Sequence, residues 1–273
     1  MNKIIVVSLS VVMMLSAGCA TQRVTHERLH GVLWSQTSVE HSIAVNQAFS
    51  VAKENAEKAL IDSSWSAALE QTEGYENLKP AVIVDVDETV LDNSPFQARL
   101  VSKGIDYDHA LWEAWVNESN AKAMPGAKEF IQHIKEKGIK VFYVTNRVIE
   151  QPTVENIRKE LDPSVTSDDV LCKKEKPGWG SDKSSRRELI AKDYRILLLI
   201  GDDYNDFAFL DKVSPEERIE KSMKHIKHWG KKWILIANPL YGNWEKALYK
   251  YDNKMPDEQK LKEKYKYLKE KNI

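Results

Sequence analysis

Short apolar, β-rich runs alternate with helical segments over the central and C-terminal parts of the chain, and this alternation constrains the fold more than any other feature. The predicted strands are 81–86, 139–145, 170–172, 195–200 and 233–237. Helical patterns separate several of them, at 126–137, 154–161 and 184–191. Strands that alternate with helices imply a parallel sheet with right-handed crossovers. We therefore expect an α/β fold with a Rossmann-like parallel sheet flanked by helices.

Two segments fall outside this alternation. Residues 34–69 have a helical pattern ahead of the first strand, which predicts an N-terminal helical extension. Residues 95–124 separate the first strand from its helix and contain several aromatic residues, which predicts a small, mainly helical cap. We expect residues 34–273 to form one domain that includes this cap, because the length suits a single large domain with an insertion.

The beginning of the chain has the pattern of an export signal. Residues 4–15 form an apolar run that is too short for an ordinary spanning helix, and small residues lead from it to Cys19. We predict a signal peptide at 1–18, lipidation of Cys19 and a polar tether at 19–33. The alternative is an ordinary signal peptide with an incidental cysteine. A lipoprotein would be exported and anchored to the cell envelope, in the outer membrane of a Gram-negative host or at the cell membrane surface of a Gram-positive one.

Charge and cysteine content exclude several classes of function. Lys and Arg total 40 against 41 for Asp and Glu, so no basic excess indicates a nucleic-acid partner. The two cysteines, Cys19 and Cys172, cannot form a disulfide framework or a Cys-rich zinc site. The sequence has neither a P-loop motif nor an HExxH motif, which leaves NTPase and zinc-protease functions without support.

Acidic residues cluster directly after two of the predicted strands. Asp85 and Asp87 end the first strand, and Asp202, Asp203 and Asp206 follow the fourth. Ligands of open α/β sheets bind outside the carboxyl ends of the strands, and residues two apart on a strand face the same way. Buried carboxylates repel one another unless a proton or a hard cation relieves the repulsion, and oxygen ligands suit Mg²⁺. Helix caps and turns are the structural alternative, but they account poorly for two acidic clusters at two strand ends.

Candidate phosphate ligands occur at two further positions. Thr145 ends the second strand and Asn146 follows it, and together they offer a hydroxyl, an amide and backbone N–H groups. Lys183 precedes a predicted helix, whose N-terminus favours an anion. Lys174 and Lys176 lie nearby and are alternatives to Lys183. Each feature alone fits a turn or a solvated lysine, whereas together with the acids they supply a nucleophile, an acid, phosphate ligands and metal ligands.

Four motifs, in this order, resemble those of phosphatases of the haloacid dehalogenase superfamily. The run DVDETV at 85–90 matches the first motif, DxDxT. Thr145 ends the second motif, Lys183 fits the third, and GDDYND at 201–206 fits the fourth, GDxxxD. The resemblance implies the fold of that superfamily and a phosphatase activity.

Longer strings narrow the resemblance. DVDETVLDNSPF at 85–96, VFYVTNR at 141–147 and YGNWE at 241–245 are similar to class C acid phosphatases, and especially to the lipoprotein e family of 5′-nucleotidases. Residues 34–52 resemble the N-terminal helix of that family, in which a lipidated cysteine is also expected. The resemblance covers nearly the whole chain after Cys19.

This resemblance implies a reaction and the residues that carry it. Asp85 would attack phosphorus and form an aspartyl-phosphate, while Asp87 would protonate the leaving alkoxide and then take a proton from water. A Mg²⁺ ion would be held by the side chains of Asp85 and Asp202 and by the backbone carbonyl of Asp87. Asp206 would support this metal shell or Lys183.

The resemblance also implies a substrate class. The family prefers nucleoside 5′-monophosphates and clamps the base between aromatic rings, and Tyr107 and Tyr241 are the matching positions. Stacking of this kind is worth about 1–3 kcal/mol per base. Thr145 and Lys183 would hold the phosphate oxygens, with a backbone or amide contact from Asn146.

Two other functions compete with this prediction. The chain could be a non-catalytic surface-binding lipoprotein on the same scaffold, or a phosphatase or phosphotransferase with a broad range of small substrates. Asp85, Asp87, Lys183 and Asp202 argue against the first, because a scaffold without activity has no need for mutually repelling acids. The sequence leaves open the preferred nucleotide and the oligomeric state, for which a homodimer is one option.

Overall fold

A five-stranded parallel sheet forms the centre of the molecule in the computed structural model, which describes residues 26–270. Its strands are β1 (Lys79–Val84), β4 (Lys140–Thr145), β5 (Val170–Cys172), β6 (Tyr194–Gly201) and β7 (Trp233–Leu235), in the spatial order β5-β4-β1-β6-β7. A separate antiparallel pair consists of β2 (Leu91–Asp92) and β3 (Lys122–Ala123). All neighbouring pairs of the main sheet are parallel, so the predicted α/β fold is confirmed.

Ten α-helices are present within the described residues. They are α1 (Leu29–Thr37), α2 (Val39–Ile61), α3 (Ser94–Lys103), α4 (His109–Asn117), α5 (Ala127–Glu136), α6 (Glu150–Glu160), α7 (Ser184–Ala191), α8 (Pro215–Met223), α9 (Asn243–Leu248) and α10 (Asp257–Tyr265). No helix between residues 26 and 270 is long and apolar enough to cross a membrane.

Strand β1 is buried on both faces, as its sequence predicts. Val82 and Val84 belong to the core that packs against α2 and α5, whereas Ala81 and Ile83 belong to the core on the other face of the sheet. Because side chains alternate along a strand, four consecutive apolar residues fill two cores. This places the carboxyl end of β1 in the interior, next to the ends of β4 and β6.

The N-terminal helical extension differs in detail from the predicted one. Ser38 interrupts the helical pattern, and its hydroxyl accepts a hydrogen bond from the backbone N–H of His41, which starts α2 as a new helix. The segment 62–69 is not helical, because the chain leaves α2 to pack beside β6, where the indole N–H of Trp65 donates to the carbonyl of Leu197 at 2.7 Å.

The boundary of the predicted tether is also corrected. Helix α1 begins at Leu29, inside the segment 19–33, because Val32 is buried and α1 packs against α3. The predicted signal peptide, Cys19 and the tether up to residue 25 lie outside the described residues. Helices α3 and α4 occupy most of the segment 95–124 that we expect to form a cap, and the β2–β3 pair joins its two ends.

Candidate active site

Three carboxylates meet at the carboxyl edge of the sheet. Asp85 directly follows β1, Asp202 directly follows β6, and Asp206 ends a short 3-10 turn after β6. One oxygen from each lies within 4.8 Å of the others. Gly201 makes this approach possible, because a Cβ at this position would lie only 2.3 Å from a carboxylate oxygen of Asp206. The same Asp206 carboxylate accepts the backbone N–H of Asp203 at 3.0 Å, which fixes its direction.

Lys183 lies in the middle of these acids. It is buried at the start of α7, and its ammonium group donates to Asp206 at 2.6 Å and also to Asp85. Lys174 and Lys176, the alternatives left open by the sequence, are exposed on the preceding loop. The structure therefore places Lys183 with the acids. We call Asp85, Asp202, Asp206 and Lys183 the Asp85 cluster.

The Asp85 cluster contains three carboxyl groups and one ammonium group, so its acids outnumber its bases. Burial raises the pKa of Asp85 to about 7; the charge of Lys183 opposes this shift, and the charges of Asp206 and Asp87 add to it. Burial, followed by the charges of Asp206 and Asp85, raises the pKa of Asp202 well above its usual value. Three carboxylate donors around one lysine suit a hard divalent cation, which prefers oxygen ligands and would offset this repulsion.

Thr89 belongs to this region as well. Its hydroxyl is fully buried, 3.3 Å from a carboxylate oxygen of Asp85 and 3.5 Å from one of Asp202. Thr89 is the threonine of the DxDxT motif, and it was not among the predicted site residues. The motif itself is the signal that identifies it.

Asp87 lies close to Asp85 but has different partners. Strand β1 ends at Val84, so Asp87 lies beyond the strand, directly before the turn at 88–90. Its Oδ1 accepts hydrogen bonds from Nε of Arg147 at 2.9 Å and from the side-chain amide of Asn93 at 2.8 Å, and Nη2 of Arg147 is 2.7 Å away. Arg147 is 2% exposed, and it follows Thr145 by two residues at the end of β4.

Asn93 and Glu88 extend this arrangement. The side-chain oxygen of Asn93 accepts the indole N–H of Trp115 at 2.7 Å and Nη2 of Arg147 at 3.2 Å. The buried carboxylate of Glu88 accepts from the backbone N–H of Asn93 at 3.1 Å and from the hydroxyl of Tyr241. We call Asp87, Arg147, Asn93, Glu88 and Tyr241 the Asp87 network.

Three of the five members of the Asp87 network, Asn93, Glu88 and Arg147, were not among the site residues predicted from the sequence. The residue before α3 is Asn93, yet its side chain does not cap that helix. Two signals could have identified the network: Glu88 lies inside the DxDxT motif, and Arg147 immediately follows the two predicted phosphate ligands.

Thr145 and Asn146, the predicted phosphate ligands, lie at the carboxyl end of β4. Thr145 is fully buried, and its hydroxyl accepts the backbone N–H of Arg147 at 3.1 Å. The side-chain amide of Asn146 is occupied by other groups, since it donates to the carbonyl of Ser181 and accepts from Arg186. Of the two contacts considered for Asn146, this favours the backbone one.

Both predicted clamp tyrosines lie near Asp87. Tyr107, between α3 and α4, is 52% exposed, and its ring stands edge-on to Phe96 at 6.5 Å. Burial and then the charge of Asp87 raise its pKa to about 12. Burial and the charges of Glu88 and Asp87 raise the pKa of Tyr241 well above its usual value. The charge of Asp87 thus acts on both tyrosines, Tyr107 between α3 and α4 and Tyr241 after β7.

Solved structures of known proteins resemble this chain over most of its length. The class C acid phosphatase from Bacillus anthracis with tungstate bound is 33% identical, with a TM-score of 0.80, and the match covers 91% of this chain and 99% of that chain. A second structure of the class C acid phosphatase from Bacillus anthracis gives the same values. The predicted resemblance to class C acid phosphatases is confirmed.

Sequence comparison finds more distant relatives. The stem 31 kDa glycoprotein of Glycine max is 27% identical over 128 residues, and the stem 28 kDa glycoprotein of Glycine max is 26% identical over 133 residues. These matches cover 45% and 47% of this chain and 50% and 52% of the relatives, so the chain spans about half the length of the curated relatives it matches. A family model described as HAD superfamily, subfamily IIIB (acid phosphatase) matches residues 11–244, and the chain therefore belongs to this family of acid phosphatases.

Proposed function

We propose that the chain is a Mg²⁺-dependent acid phosphatase that hydrolyses phosphomonoesters, with nucleoside 5′-monophosphates as the preferred substrates. The observation that carries this proposal is the Asp85 cluster, in which a buried lysine and three carboxylates meet at the ligand-binding edge of the sheet. Family membership supports the phosphomonoesterase activity.

The reaction would proceed through two displacements at phosphorus, the first by Asp85 and the second by water. A carboxylate oxygen of Asp85 bonds to phosphorus as the bond from phosphorus to the ester oxygen breaks, and Asp87 gives its proton to the leaving alkoxide. Water then attacks the aspartyl-phosphate, Asp87 takes a proton from that water, and inorganic phosphate leaves as Asp85 is regenerated. Lys183 and Thr145 would hold phosphate oxygens, with a backbone contact from Asn146.

The geometry of Asp87 supports its role in proton transfer. Arg147 and Asn93 both bind Oδ1, while Oδ2 accepts no hydrogen bond from any of residues 26–270. One oxygen is therefore held in place while the other stays available to exchange a proton.

The donor set supports a bound Mg²⁺. Asp85 and Asp202 would supply side-chain oxygens and Asp87 its backbone carbonyl, with Asp206 held behind them by Lys183. When bound, the ion would lower the pKa of Asp85 and neutralise charge on the phosphoryl oxygens.

The substrate preference depends on Tyr107 and Tyr241. A nucleobase between the two rings would gain stacking energy that a non-aromatic phosphomonoester lacks. The competing function, a broad phosphatase or phosphotransferase, needs neither ring.

The location of the enzyme is a further proposal. Export by the signal peptide 1–18 and lipidation of Cys19 would anchor it to the cell envelope, where it could remove phosphate from external nucleotides. Labelling of the wild-type chain, but not of Cys19→Ala, with radioactive palmitate in a bacterial host would support the anchor, and equal labelling of both would contradict it. A homodimer is checked by sedimentation of the purified chain.

The central test is an assay of the full chain in detergent. Phosphate release from nucleoside monophosphates and from glycerol phosphate is measured with Mg²⁺, with EDTA and in Asp85→Asn. We expect activity with Mg²⁺ only, a higher kcat/KM for nucleotides, and a loss of at least about 10³-fold in Asp85→Asn. Turnover without metal, or full activity in the variant, would contradict the mechanism. An equal preference for glycerol phosphate would favour the broad phosphatase, and no turnover at all would favour the non-catalytic lipoprotein.

A further inference from the structure

Glu88 is a buried carboxylate next to Asp87 that the proposed reaction does not use. It is 4% exposed, although glutamate is seldom buried without a strong reason. Its backbone φ is 56°, in the left-handed region that residues with a side chain rarely adopt. Such a conformation persists only where the surroundings over-determine it.

The surroundings of Glu88 consist of groups from two distant parts of the chain. One carboxylate oxygen accepts the backbone N–H of Asn93 at 3.1 Å, and the other accepts the side-chain amide of Asn93 at 3.3 Å. The hydroxyl of Tyr241, 153 residues away in sequence, donates to that second oxygen. Glu88 therefore joins the turn after β1 to the segment after β7.

The link continues from Asn93 to the reacting carboxylate. Because Trp115 and Arg147 both donate to the side-chain oxygen of Asn93, its NH₂ group must face the acids. That NH₂ group donates to Asp87 at 2.8 Å and to Glu88. Movement of Glu88 would displace Asn93, and with it one of the two groups that hold Oδ1 of Asp87.

We propose that Glu88 is a positioning residue that fixes the ring of Tyr241 and the carboxylate of Asp87 in one relative arrangement. The inference rests on the proposed function, in which Tyr241 stacks on the base and Asp87 transfers the proton. Glu88 then has two separable effects. Its contact with Tyr241 acts on nucleotide binding, and its contact with Asn93 acts on the chemical step for every phosphomonoester.

Three variants of the full chain separate these effects. Tyr241→Phe keeps the ring and removes the hydroxyl that binds Glu88. Glu88→Gln keeps the shape but places an NH₂ group against an existing donor, and Glu88→Ala removes all contacts. Steady-state kcat and KM are measured with a nucleoside monophosphate and with glycerol phosphate, which has no ring to stack.

We expect two different kinetic patterns. Tyr241→Phe should raise KM about fivefold for the nucleotide, and this increase should exceed any change for glycerol phosphate, which has no ring to stack. Glu88→Ala should raise the nucleotide KM to the same extent and also lower kcat about tenfold or more with both substrates, because Asp87 is no longer held. Glu88→Gln should give a smaller decrease in kcat. In the double variant the two KM effects should not add, because they act through one contact.

Asp162→Asn is the matched control. Asp162 is 5% exposed and binds Lys135 and Ser164, and it follows α6 at the opposite edge of the sheet. It should lower the thermal unfolding midpoint without changing kcat or KM.

Glu88 variants that lower only the unfolding midpoint, as this control does, would overturn the inference, and so would additive KM effects. If Glu88→Ala does not fold, Glu88→Gln and Tyr241→Phe decide the question. A wild-type chain that hydrolyses neither substrate would overturn the proposed function itself, whereas an active wild type with unaffected variants would overturn the inference alone.

Discussion

Asp85 and Asp87 are two residues apart, but their surroundings differ in charge and in origin. The Asp85 cluster joins Asp85 to Lys183 and two further aspartates, all from strand ends or a helix start of the main sheet. In the Asp87 network, Asp87 is bound by the guanidinium of Arg147 and the side-chain amide of Asn93. Asn93 is in turn bound by Trp115, which comes from the inserted helix α4.

This difference separates two tasks of one site. In the Asp85 cluster Lys183 binds two of the three carboxylates, so the acids outnumber the bases and the arrangement suits a bound cation. In the Asp87 network each of the two acids, Asp87 and Glu88, has several donors, so the chain itself holds these groups in place. Under the proposed function, the Asp85 cluster binds the cation and attacks phosphorus, and the Asp87 network holds the proton-transferring carboxylate and the ring of Tyr241 in position.

Replacement of Lys183 by methionine should have the largest effect. The change leaves Asp85 and Asp206 buried without their cation, and breaking a buried ion pair in this way costs about 3–5 kcal/mol. We expect the free energy of unfolding, measured in urea, to fall by that amount. Phosphatase activity should fall by at least about 10³-fold, because the phosphate loses a positive partner.

Lys174→Met is the control for that prediction. Lys174 is an exposed lysine of the loop before α7, so its loss should change stability by less than about 0.5 kcal/mol and leave kcat unchanged. If Lys174→Met changed stability and kcat as much as Lys183→Met, the position of Lys183 among the acids of the Asp85 cluster would not explain its effect.

Arg147→Lys tests the Asp87 network and should have the second largest effect. Lysine keeps the positive charge but lacks the planar guanidinium, whose separate N–H groups bind Asp87 and Asn93 at the same time in the wild type. Asp87 should lose its fixed direction, so kcat should fall about 10- to 100-fold with every substrate, with little change in KM.

Arg195→Lys provides a comparison for this substitution. Arg195 is also buried, and it donates to the backbone carbonyls of Ala59 and Asp62 near the amino end of β6, away from the site. The Arg195→Lys variant should be less stable than the wild type but keep the same kcat. A decrease in kcat in both variants would mean that any buried arginine matters equally, and the distinction between the two regions would fail.

The two regions also differ in how far the sequence predicts them. The strands were predictable because each is a short apolar run, and Asp85, Asp202 and Lys183 follow strands or precede a helix directly. Their convergence follows from the geometry of a parallel sheet. Within residues 26–270, the sheet and the members of the Asp85 cluster were therefore open to reasoning from the sequence.

The Asp87 network was not predictable in the same way. The directions of Glu88 and Asn93 depend on a turn with a left-handed residue, and their partners Trp115 and Tyr241 come from distant segments. No periodicity specifies such contacts. Likewise, the sequence alone left undecided whether Asn146 would contact a phosphate through its backbone or its amide, because the hydrogen bond of that amide to Ser181 joins residues 35 apart in sequence.

Tyr107→Ala tests the exposed part of the substrate site and should have a smaller effect. Its ring is half exposed, so the stacking energy should lie at the lower end of the usual range and KM for a nucleotide should rise about fivefold. KM for glycerol phosphate should stay constant, and Tyr107→Phe should behave like wild type because it keeps the ring. Tyr265→Ala, at a tyrosine that is 63% exposed on α10, is the control. Equal changes for both substrates would exclude base stacking by Tyr107.

The smallest effect concerns stability and pH without metal. Burial raises the pKa of Asp85 from 3.8 to about 7, and the pKa of Asp202 is raised in the same direction. Between about pH 4 and 7 the unfolded chain therefore releases protons that the folded chain retains, so the contribution of the Asp85 cluster to stability is largest below pH 4 and is lost as the pH rises to 7.

In EDTA the thermal unfolding midpoint should decrease over this range. The decrease should be smaller in Asp202→Asn, which removes one titrating group, and Mg²⁺ should raise the midpoint more at pH 7 than at pH 4. A wild-type curve parallel to that of Asp202→Asn would show that the Asp85 cluster has no excess negative charge, and its contrast with the Asp87 network would disappear.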